Sequence, residues 1–238
     1  LACAAELHVG KFLHVSTDEI YGPILTGAHD EEAPFNPRSP YAASKAAAEL
    51  LVRAAQETYG LPALIVRPTN CFGPRQFPEK FIPLCITNAL EERPVPIYGD
   101  GQQRRTWLFV EDLCRAMDCV LERGAVGAVY NVSGRSEQAN VEVARAILRR
   151  LGKPEHLLEF VADRPGHDRR YAIDDSKLTA LGWRPHVSLE DGLETLIRWY
   201  RDHPAWWQPL KARLHDDPYH WLNRSARPGA HQAACVVR

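Results

Sequence analysis

The sequence lacks long hydrophobic runs and any excess of charge. None of its 238 residues lies in an apolar run of about 18 or more, the length that a membrane-spanning helix requires. It does not open with a charged segment, an apolar run and a small-residue cleavage site, the pattern of a secretory signal. The formal net charge is -1, which gives no electrostatic reason to expect nucleic acid. We therefore expect a cytoplasmic protein that binds neither membrane nor nucleic acid.

Cysteines at metal-binding spacing are also missing. The six cysteines are scattered, with no C-x-x-C pair and no His at zinc-finger spacing. This distribution predicts free thiols in a reducing compartment, without disulfides and without a metal site. Repeats of fixed period and low-complexity segments are not found, which excludes repeat architectures.

Strand-like and helix-like segments alternate along the chain. Hydrophobic residues make up 45% of it and charged residues 25%, as in ordinary globular proteins. Residues 12–15 and 63–68 are short apolar runs typical of buried strands. Between them, Ser39 is a good cap for a helix that ends at Gly60. This order predicts an α/β fold with a parallel sheet.

The second half of the chain continues the alternation. The patterns predict a helix over 111–123 closed by Gly124, a strand over 128–132, a helix that Asn140 caps and that runs to Leu151, and a last helix that follows Ser188. The last helix carries an apolar stripe at helical spacing: Leu189, Leu193, Leu196, Ile197 and Tyr200.

Polar chemistry begins where the first strand ends. The segment HVSTDEIYG, residues 14–22, places Ser16, Thr17, Asp18 and Glu19 directly after an apolar run. In open α/β sheets, ligands bind beyond the carboxyl ends of the strands. The segment is therefore a candidate ligand site.

Tyr41 and Lys45 are four residues apart on the predicted helix, so their side chains share one face. The ordinary pKa of tyrosine is about 10, and a neighbouring ammonium group lowers it. Tyr41 is therefore a candidate base for a sugar or alcohol hydroxyl. The same spacing fits a packed Tyr beside a solvated Lys, and the pair alone leaves both interpretations open.

Six motifs occur in a familiar order: HVSTDEIYG, SPYAASKAAAE, RPTNCFGP, FPEKFIPL, RRTWLFVED and DRPGHDRRYAID. Together they resemble the extended short-chain dehydrogenases/reductases, and most closely the nucleotide-sugar dehydratases of the dTDP-glucose 4,6-dehydratase type, from residue 1 to about residue 210. The resemblance implies a Rossmann-like, doubly wound parallel sheet with a smaller C-terminal α/β substrate-binding lobe.

The resemblance also implies a division of the chain. Residues 1–69, with contributions from about 101–135, would form the remaining part of an NAD-binding domain. Residues 70–100 and 136–210 would form the substrate-binding lobe, and 211–238 a tail. The G-x-x-G-x-x-G turn that binds the NAD pyrophosphate in this family is missing from the sequence. We therefore expect an N-terminally truncated chain without the first βα units.

The resemblance gives catalytic roles to five residues. Tyr41 would remove the hydroxyl proton at sugar carbon 4 while hydride passes to NAD, and Lys45 would lower the pKa of Tyr41 and hold the nicotinamide ribose. Thr17 would hydrogen-bond the same hydroxyl. Glu19 would remove the proton on carbon 5, and Asp18 would protonate the hydroxyl that leaves carbon 6. Elimination needs one acid and one base, and adjacent carboxyl groups push their pKa values apart.

Binding residues follow from the same comparison. The expected NAD contacts are Ser16, Tyr41, Lys45 and Cys71, the last of which stands where these dehydratases commonly have Asn. The expected nucleotide-sugar contacts are Thr17, Asn70, Lys80, Pro96, Tyr98, Arg105, Asn140, Arg164 and His167. A diphosphate favours guanidinium and ammonium donors, and a nucleobase favours an aromatic or apolar slot.

Alternatives within the superfamily stay open at this point. Epimerases usually have small hydroxyl residues in place of Asp18 and Glu19, and the decarboxylases keep a Glu but generally have Ser in place of Asp18, so the pair favours dehydration. A 4-epimerase, a nucleotide-sugar decarboxylase and a catalytically silent nucleotide-sugar-binding fragment are the other hypotheses. The resemblance also implies a homodimer.

Overall fold

A computed structural model describes residues 1–213 of the chain. Its helices are α1 (Ala2–Glu6), α2 (Pro40–Tyr59), α3 (Phe81–Leu90), α4 (Val110–Arg123), α5 (Asn140–Leu151), α6 (Ser176–Ala180), α7 (Leu189–Asp202) and α8 (Pro204–Ala212). Its strands are β1 (Phe12–Val15), β2 (Ala63–Pro68), β3 (Asn70–Phe72), β4 (Val95–Tyr98), β5 (Arg104–Phe109), β6 (Val129–Val132), β7 (Ser136–Ala139) and β8 (Leu158–Val161). Short 3-10 helices lie at Asp18–Tyr21 and Glu155–Leu157.

The main sheet is parallel, with the strand order β1-β2-β6. All six residues of β2 are buried because helices cover both faces of the sheet. Leu64 and Val66 pack with residues of α4, whereas Ala63 and Ile65, one position out of phase, pack with residues of α2. The predicted α/β fold, with a doubly wound parallel sheet, is confirmed.

Helix α2 begins and ends where the sequence predicts. The Ser39 hydroxyl oxygen accepts a hydrogen bond from the backbone N–H of Ala42 at 3.1 Å, and Pro40 occupies the first turn. At the other end, Gly60 has a φ of 65°, a left-handed conformation that glycine adopts without strain.

Helix α4 also ends at the predicted glycine, but for another reason. Gly124 has an extended conformation, with φ at -67°. A Cβ atom there would lie 2.4 Å from the carbonyl oxygen of Val120 and 2.8 Å from the side chain of Leu64. Close packing between helix and sheet therefore requires a glycine at this position.

Two smaller sheets lie beyond the main one. One is mixed, with the order β3-β5-β7, and the other is the parallel pair β4-β8. They pack against α3, α5 and α7 around the largest core cluster of the described chain. The predicted stripe of α7 is confirmed, because all five of its members are buried in this cluster, and Ser188 caps the helix through the N–H of Asp191 at 3.0 Å.

The expected cap of α5 is wrong. Ala139 is the cap residue, and Asn140 is the first residue of the helix. The backbone N–H groups of Asn140 and Val141 donate to the carbonyl oxygens of Gln103 and Gly101, at 2.9 and 3.0 Å. Because this neighbouring loop accepts hydrogen bonds from the first N–H groups of the helix, the Asn140 side chain is not needed as a cap and is available for another role.

Several other expectations concern the described chain as a whole. Cys3, Cys71, Cys85, Cys114 and Cys119 are free thiols. No helix within residues 1–213 is long and apolar enough to cross a membrane. In the same residues, no cluster of three or more His, Cys, Asp or Glu side chains is arranged to hold a metal ion. The domain boundaries stay a prediction, and most of the expected tail, residues 214–238, lies outside the described chain.

Candidate active site

The site begins at the carboxyl end of β1. The backbone N–H of Ser16 donates to the carbonyl oxygen of Val66 at 2.8 Å, which continues the pairing of β1 and β2 by one residue. Thr17 then caps the 3-10 helix Asp18–Tyr21, because its hydroxyl oxygen accepts a hydrogen bond from the N–H of Glu19 at 3.3 Å. The abrupt change from apolar strand to polar turn therefore builds a short, capped helix whose first two side chains are carboxyl groups.

Asp18 is only 3% exposed, and its environment favours the neutral acid. Burial and then the negative charge of Glu19 raise the pKa of Asp18 to about 7. The positive charge of Arg105 and a hydrogen bond from Thr17, at 3.3 Å, act in the opposite direction. At neutral pH a large share of Asp18 is therefore protonated and able to act as an acid.

Glu19 lies in a more positive environment. Burial raises its pKa, and the charges of Arg105, Arg164 and Lys80 oppose that rise. Three of the predicted substrate-binding cations thus act on the carboxylate that is expected to take up a proton. Asp168, which the sequence analysis did not single out, adds a negative charge and raises the pKa of Glu19.

Tyr41 stands beside this turn, half-exposed on the first turn of α2, and a hydrogen bond joins it to Thr17. The expected lowering of its pKa is wrong for this structure. Burial raises the pKa of Tyr41, and the charges of Glu19 and Asp18 raise it further. The ammonium group of Lys45 donates to the carbonyl oxygen of Val15 at 2.7 Å.

Arg105 supplies a buried positive charge from β5. Its guanidinium group donates to the carbonyl oxygen of Asp168 at 2.9 Å and lies 4.4 Å above the ring of Tyr171. The Tyr171 hydroxyl in turn donates to the Asp168 carboxylate at 2.6 Å. Asp168 and Tyr171 therefore orient Arg105 toward the two carboxyl groups. Both residues belong to the motif DRPGHDRRYAID, which contained the signal for them.

A second group of predicted residues surrounds His167. A ring nitrogen of His167 forms a hydrogen bond with the Asp163 carboxylate at 2.7 Å, and Asp163 also accepts from the side chain of Gln103 at 2.9 Å. The ring of Tyr98 meets that of His167 edge to face, with 6.1 Å between centroids. Burial and then the charge of Arg164 lower the pKa of His167. Asp163, four residues before His167, was missed although this spacing is visible in the sequence.

The remaining predicted residues differ in accessibility. Asn70 and Asn140 each hold a buried side-chain oxygen that has no hydrogen-bond partner among the described residues. Such an acceptor costs free energy unless a ligand or water satisfies it. Pro96 is buried in β4. Cys71 lies close enough to Asp18 for the two groups to interact, and burial raises the pKa of its thiol to about 12, so the thiol is neutral.

The structure thus brings most of the predicted residues into two connected groups. The first group contains Thr17, Asp18, Glu19, Tyr41 and Arg105, and the second contains Tyr98, Arg164 and His167. Arg105 and Arg164 act on both groups. An acid-base turn at the carboxyl end of a parallel strand, with a Tyr-Lys helix beside it, is the arrangement of the extended short-chain dehydrogenases/reductases.

Comparisons with known proteins narrow this class. The family model of GDP-mannose 4,6 dehydratase matches residues 1–196, and the chain belongs to that family. The dTDP-glucose 4,6-dehydratase of Streptomyces niveus is 48% identical over 213 residues, which are 89% of this chain and 63% of the relative. The chain therefore spans less than two thirds of that relative's length.

Solved structures agree with this assignment. DesIV, the dTDP-glucose 4,6-dehydratase of Streptomyces venezuelae determined with NAD and TYD bound, superposes with a TM-score of 0.86 at 46% identity, covering 88% of this chain and 65% of DesIV. The UDP-glucuronic acid 4-epimerase of Bacillus cereus, in complex with UDP-glucuronic acid and NAD, gives 0.80 at 29% identity, covering 84% and 64%. Both the sequence and the fold are thus more similar to this dehydratase than to this epimerase.

Proposed function

We propose that this chain carries the active site of an NAD-dependent nucleotide-sugar 4,6-dehydratase. The substrate is a nucleotide diphosphate hexose, with dTDP-glucose favoured, and the product is its 4-keto-6-deoxy sugar. One observation supports this most strongly: two adjacent carboxyl groups, one of them a buried acid with a pKa of about 7, stand beside a Tyr-Lys helix. The identity of 48% to a dTDP-glucose 4,6-dehydratase supports the same substrate class.

Four residues of the first group act directly in this reaction. Tyr41 takes the proton from the carbon 4 hydroxyl, which Thr17 holds by a hydrogen bond. Once carbon 4 is a ketone, the proton on carbon 5 is acidic, and Glu19 removes it. Asp18 protonates the hydroxyl that leaves carbon 6. An elimination requires one acid and one base, and the buried Asp18, with a pKa of about 7, is suited to be the acid beside Glu19.

The residues present fit the nicotinamide end of NAD. Lys45 is held at the end of β1 by the Val15 carbonyl, which leaves further N–H donors of its ammonium group for ribose hydroxyls. Ser16 lies beside it, and the neutral Cys71 thiol brings no negative charge near the ring. Bound NAD would accept hydride from carbon 4 and later return it to carbon 6. The 238 residues contain no G-x-x-G-x-x-G turn for the pyrophosphate.

Positively charged side chains around Glu19 suit the rest of the substrate. Arg105, Arg164 and Lys80 supply guanidinium and ammonium donors for a diphosphate. Asn70 and Asn140 offer buried acceptors, and the partly buried Tyr98 at the end of β4 offers an aromatic contact for the nucleobase. The carboxyl pair favours dehydration over 4-epimerisation, since an epimerisation does not expel a hydroxyl and needs no acid at carbon 6.

A homodimer in the cytoplasm is part of the proposal. Helix α2 exposes an apolar surface next to the site, with Leu50 at 54% and Leu51 at 62% exposure, between the exposed Ala47 and Ala54. Exposed leucines side by side on one helix favour burial against a partner. A second copy of the chain would cover them in a symmetric contact.

Turnover of dTDP-glucose with NAD tests the proposal. We would assay the 238-residue chain, and any longer product of its reading frame, and follow the 4-keto product by its absorbance in alkali. The expected result is product formation, with Glu19→Gln stopped after oxidation at carbon 4. If NAD binds and dTDP-glucose stays untouched, whereas a UDP- or GDP-hexose is dehydrated, the reaction stands and the nucleotide is wrong. If no hexose is dehydrated, the proposed function is wrong.

A further inference from the structure

A completely buried ion pair joins the Tyr-Lys helix to the central strand of the main sheet. Glu49 on α2 and Arg67 on β2 both have side chains at 0% exposure. Two guanidinium nitrogens of Arg67 donate to the two Glu49 carboxylate oxygens, at 3.1 and 2.5 Å. Glu49 follows Tyr41 and Lys45 at spacings of four residues along α2. The pair therefore lies one helical turn beyond Lys45, and no ligand can reach it.

Arg67 also contacts the acid-base turn and the segment after it. Its third nitrogen donates to the hydroxyl oxygen of Tyr21, the last residue of the 3-10 helix that begins with Asp18. The same nitrogen donates to the carbonyl oxygen of Glu31 at 2.9 Å. The guanidinium lies 4.8 Å from the centre of the Tyr21 ring, and the Tyr21 hydroxyl donates to Asn131 at 2.8 Å. The guanidinium group of Arg67 thus contacts both the 3-10 helix that begins with Asp18 and helix α2, which carries Tyr41 and Lys45.

Stability alone is a poor reason for such a pair. Removing two charges from water costs several kcal/mol per ion, and apolar residues of similar volume often serve as well or better. Breaking only one partner leaves an unpaired buried charge, so each residue requires the other. A planar guanidinium with five N–H donors fixes its partners in both distance and angle, which an apolar contact does not do.

We propose that Glu49 and Arg67 are positioning residues that hold the acid-base turn and the Tyr-Lys helix in register with each other. They touch neither substrate nor cofactor and act through Tyr21 and α2. Their effect on turnover rests on the proposed function, whereas their effect on the order of the two segments does not. Small displacements of catalytic groups lower rates by up to about 100-fold.

The test replaces the pair as a whole. Glu49→Leu combined with Arg67→Met replaces the ion pair with apolar side chains of similar size, so that the buried space stays filled. The matched control is Glu91→Leu combined with Lys211→Met, which removes an ion pair of 2.7 Å between the ends of α3 and α8. Tyr21→Phe is a third variant, which keeps the Glu49–Arg67 pair and removes the hydrogen bonds of the Tyr21 hydroxyl with Arg67 and Asn131.

Amide hydrogen exchange of the ligand-free protein measures positioning without any turnover. In the Glu49/Arg67 double variant we expect exchange about 10-fold faster in residues 16–22 and 40–47, with α5 unchanged. Tyr21→Phe should accelerate exchange in 16–22 only, and the control variant in neither segment. If the double variant does not fold, Tyr21→Phe decides: unchanged exchange in 16–22 overturns the proposal.

Kinetics add a second readout if the parent chain turns over. We expect the double variant to lose about 10- to 100-fold in kcat with KM for the nucleotide sugar changed less than about 2-fold. Unchanged exchange in both segments would overturn the proposal, and so would faster exchange spread evenly over the whole chain. A chain without any turnover contradicts the proposed function only, since hydrogen exchange still decides the role of Glu49 and Arg67.

Discussion

Burial of Asp18 and then the negative charge of its neighbour Glu19 raise the pKa of Asp18 to about 7. The two carboxyl groups are adjacent in one 3-10 helix, yet Asp18 is closed off from solvent, and the positive charges of Arg105, Arg164 and Lys80 act on Glu19. Adjacent residues of the same chemistry therefore differ in their surroundings, because burial dominates at Asp18 whereas three positive charges oppose the effect of burial at Glu19. This asymmetry gives one of them the role of acid and the other that of base.

The pH dependence of turnover should report Asp18. Its acid form is required, and because its pKa is about 7, kcat should fall with rising pH above about 7. Asp18→Asn cannot donate the proton, so it should lower kcat by about 100- to 10,000-fold and abolish this decline. The measurement is kcat from pH 5 to 10. An exposed control, Asp202→Asn, should match the parent chain, and an unchanged pH profile in Asp18→Asn would contradict the assignment.

Stability should depend on Asp18 with a defined sign. Its pKa rises on folding from 3.8 to about 7, so between these values the folded protein holds a proton that the unfolded chain has lost. The free energy of unfolding therefore decreases as pH rises through this window, and the penalty is complete above about 7. Asp18→Asn removes the penalty and should be more stable than the parent at pH 8 by a few kcal/mol, on the order of 1.4 per pKa unit.

Thermal unfolding of Asp18→Asn at pH 4 and pH 8 checks this sign. The stabilisation should be present at pH 8 and nearly absent at pH 4. A variant that is equally stable to its parent at both pH values would show that Asp18 ionises freely in the folded protein.

Two asparagines should respond in opposite ways to truncation. The Asn140 side-chain oxygen is buried with no partner among residues 1–213, so Asn140→Ala should cost little stability while raising KM for the nucleotide sugar about 10-fold. Asn131 accepts from Tyr21 at 2.8 Å and donates to the carbonyl oxygens of His29 and Asp174, so Asn131→Ala should lose about 2 to 4 kcal/mol. Thermal unfolding and KM separate the two cases. A large stability loss in Asn140→Ala would contradict a ligand-binding role.

The exposed leucines of α2 test the dimer. Leu51→Glu places a charge at the centre of the proposed contact and should convert the dimer to a monomer, measured by light scattering after size-exclusion chromatography. Leu25→Glu is the matched control, since Leu25 is 75% exposed and lies in a loop outside α2. A parent chain that is monomeric at micromolar concentration would exclude the contact.

Local patterns predicted much of the fold. Ser39, Pro40 and Gly60 bound a helix through backbone chemistry that is visible residue by residue, and the stripe of α7 has the period of a helix with one buried face. Asn140 did not follow its pattern, because a loop distant in sequence supplies the carbonyl oxygens that start α5. Gly124 ends α4 as predicted. The reason is that a side chain at this position would collide with Leu64, and the local sequence does not reveal this contact.

The electrostatics of the site were harder to predict. The spacing of Tyr41 and Lys45 predicts a shared face, but it does not say that Lys45 donates to the Val15 carbonyl or that two carboxylates act on Tyr41. The two carboxylates raise the pKa of Tyr41, against the expectation. The ion pair between Glu49 and Arg67, which lie 18 residues apart in the sequence, depends on how α2 packs over β2. Such long-range pairs follow from the tertiary structure and not from any local pattern.

An isotope experiment tests the central claim most directly. The protein would be incubated in D2O with NAD and, in one sample, unlabelled dTDP-glucose and, in another, dTDP-glucose carrying deuterium at carbon 4. Dehydration through Glu19 and Asp18 predicts deuterium from carbon 4 at carbon 6 of the 4-keto product, and solvent deuterium at carbon 5. Glu19→Gln should abolish the label at carbon 5 together with product formation. A product that keeps its carbon 6 hydroxyl and its label at carbon 4, with inverted configuration there, would contradict the account and identify a 4-epimerase.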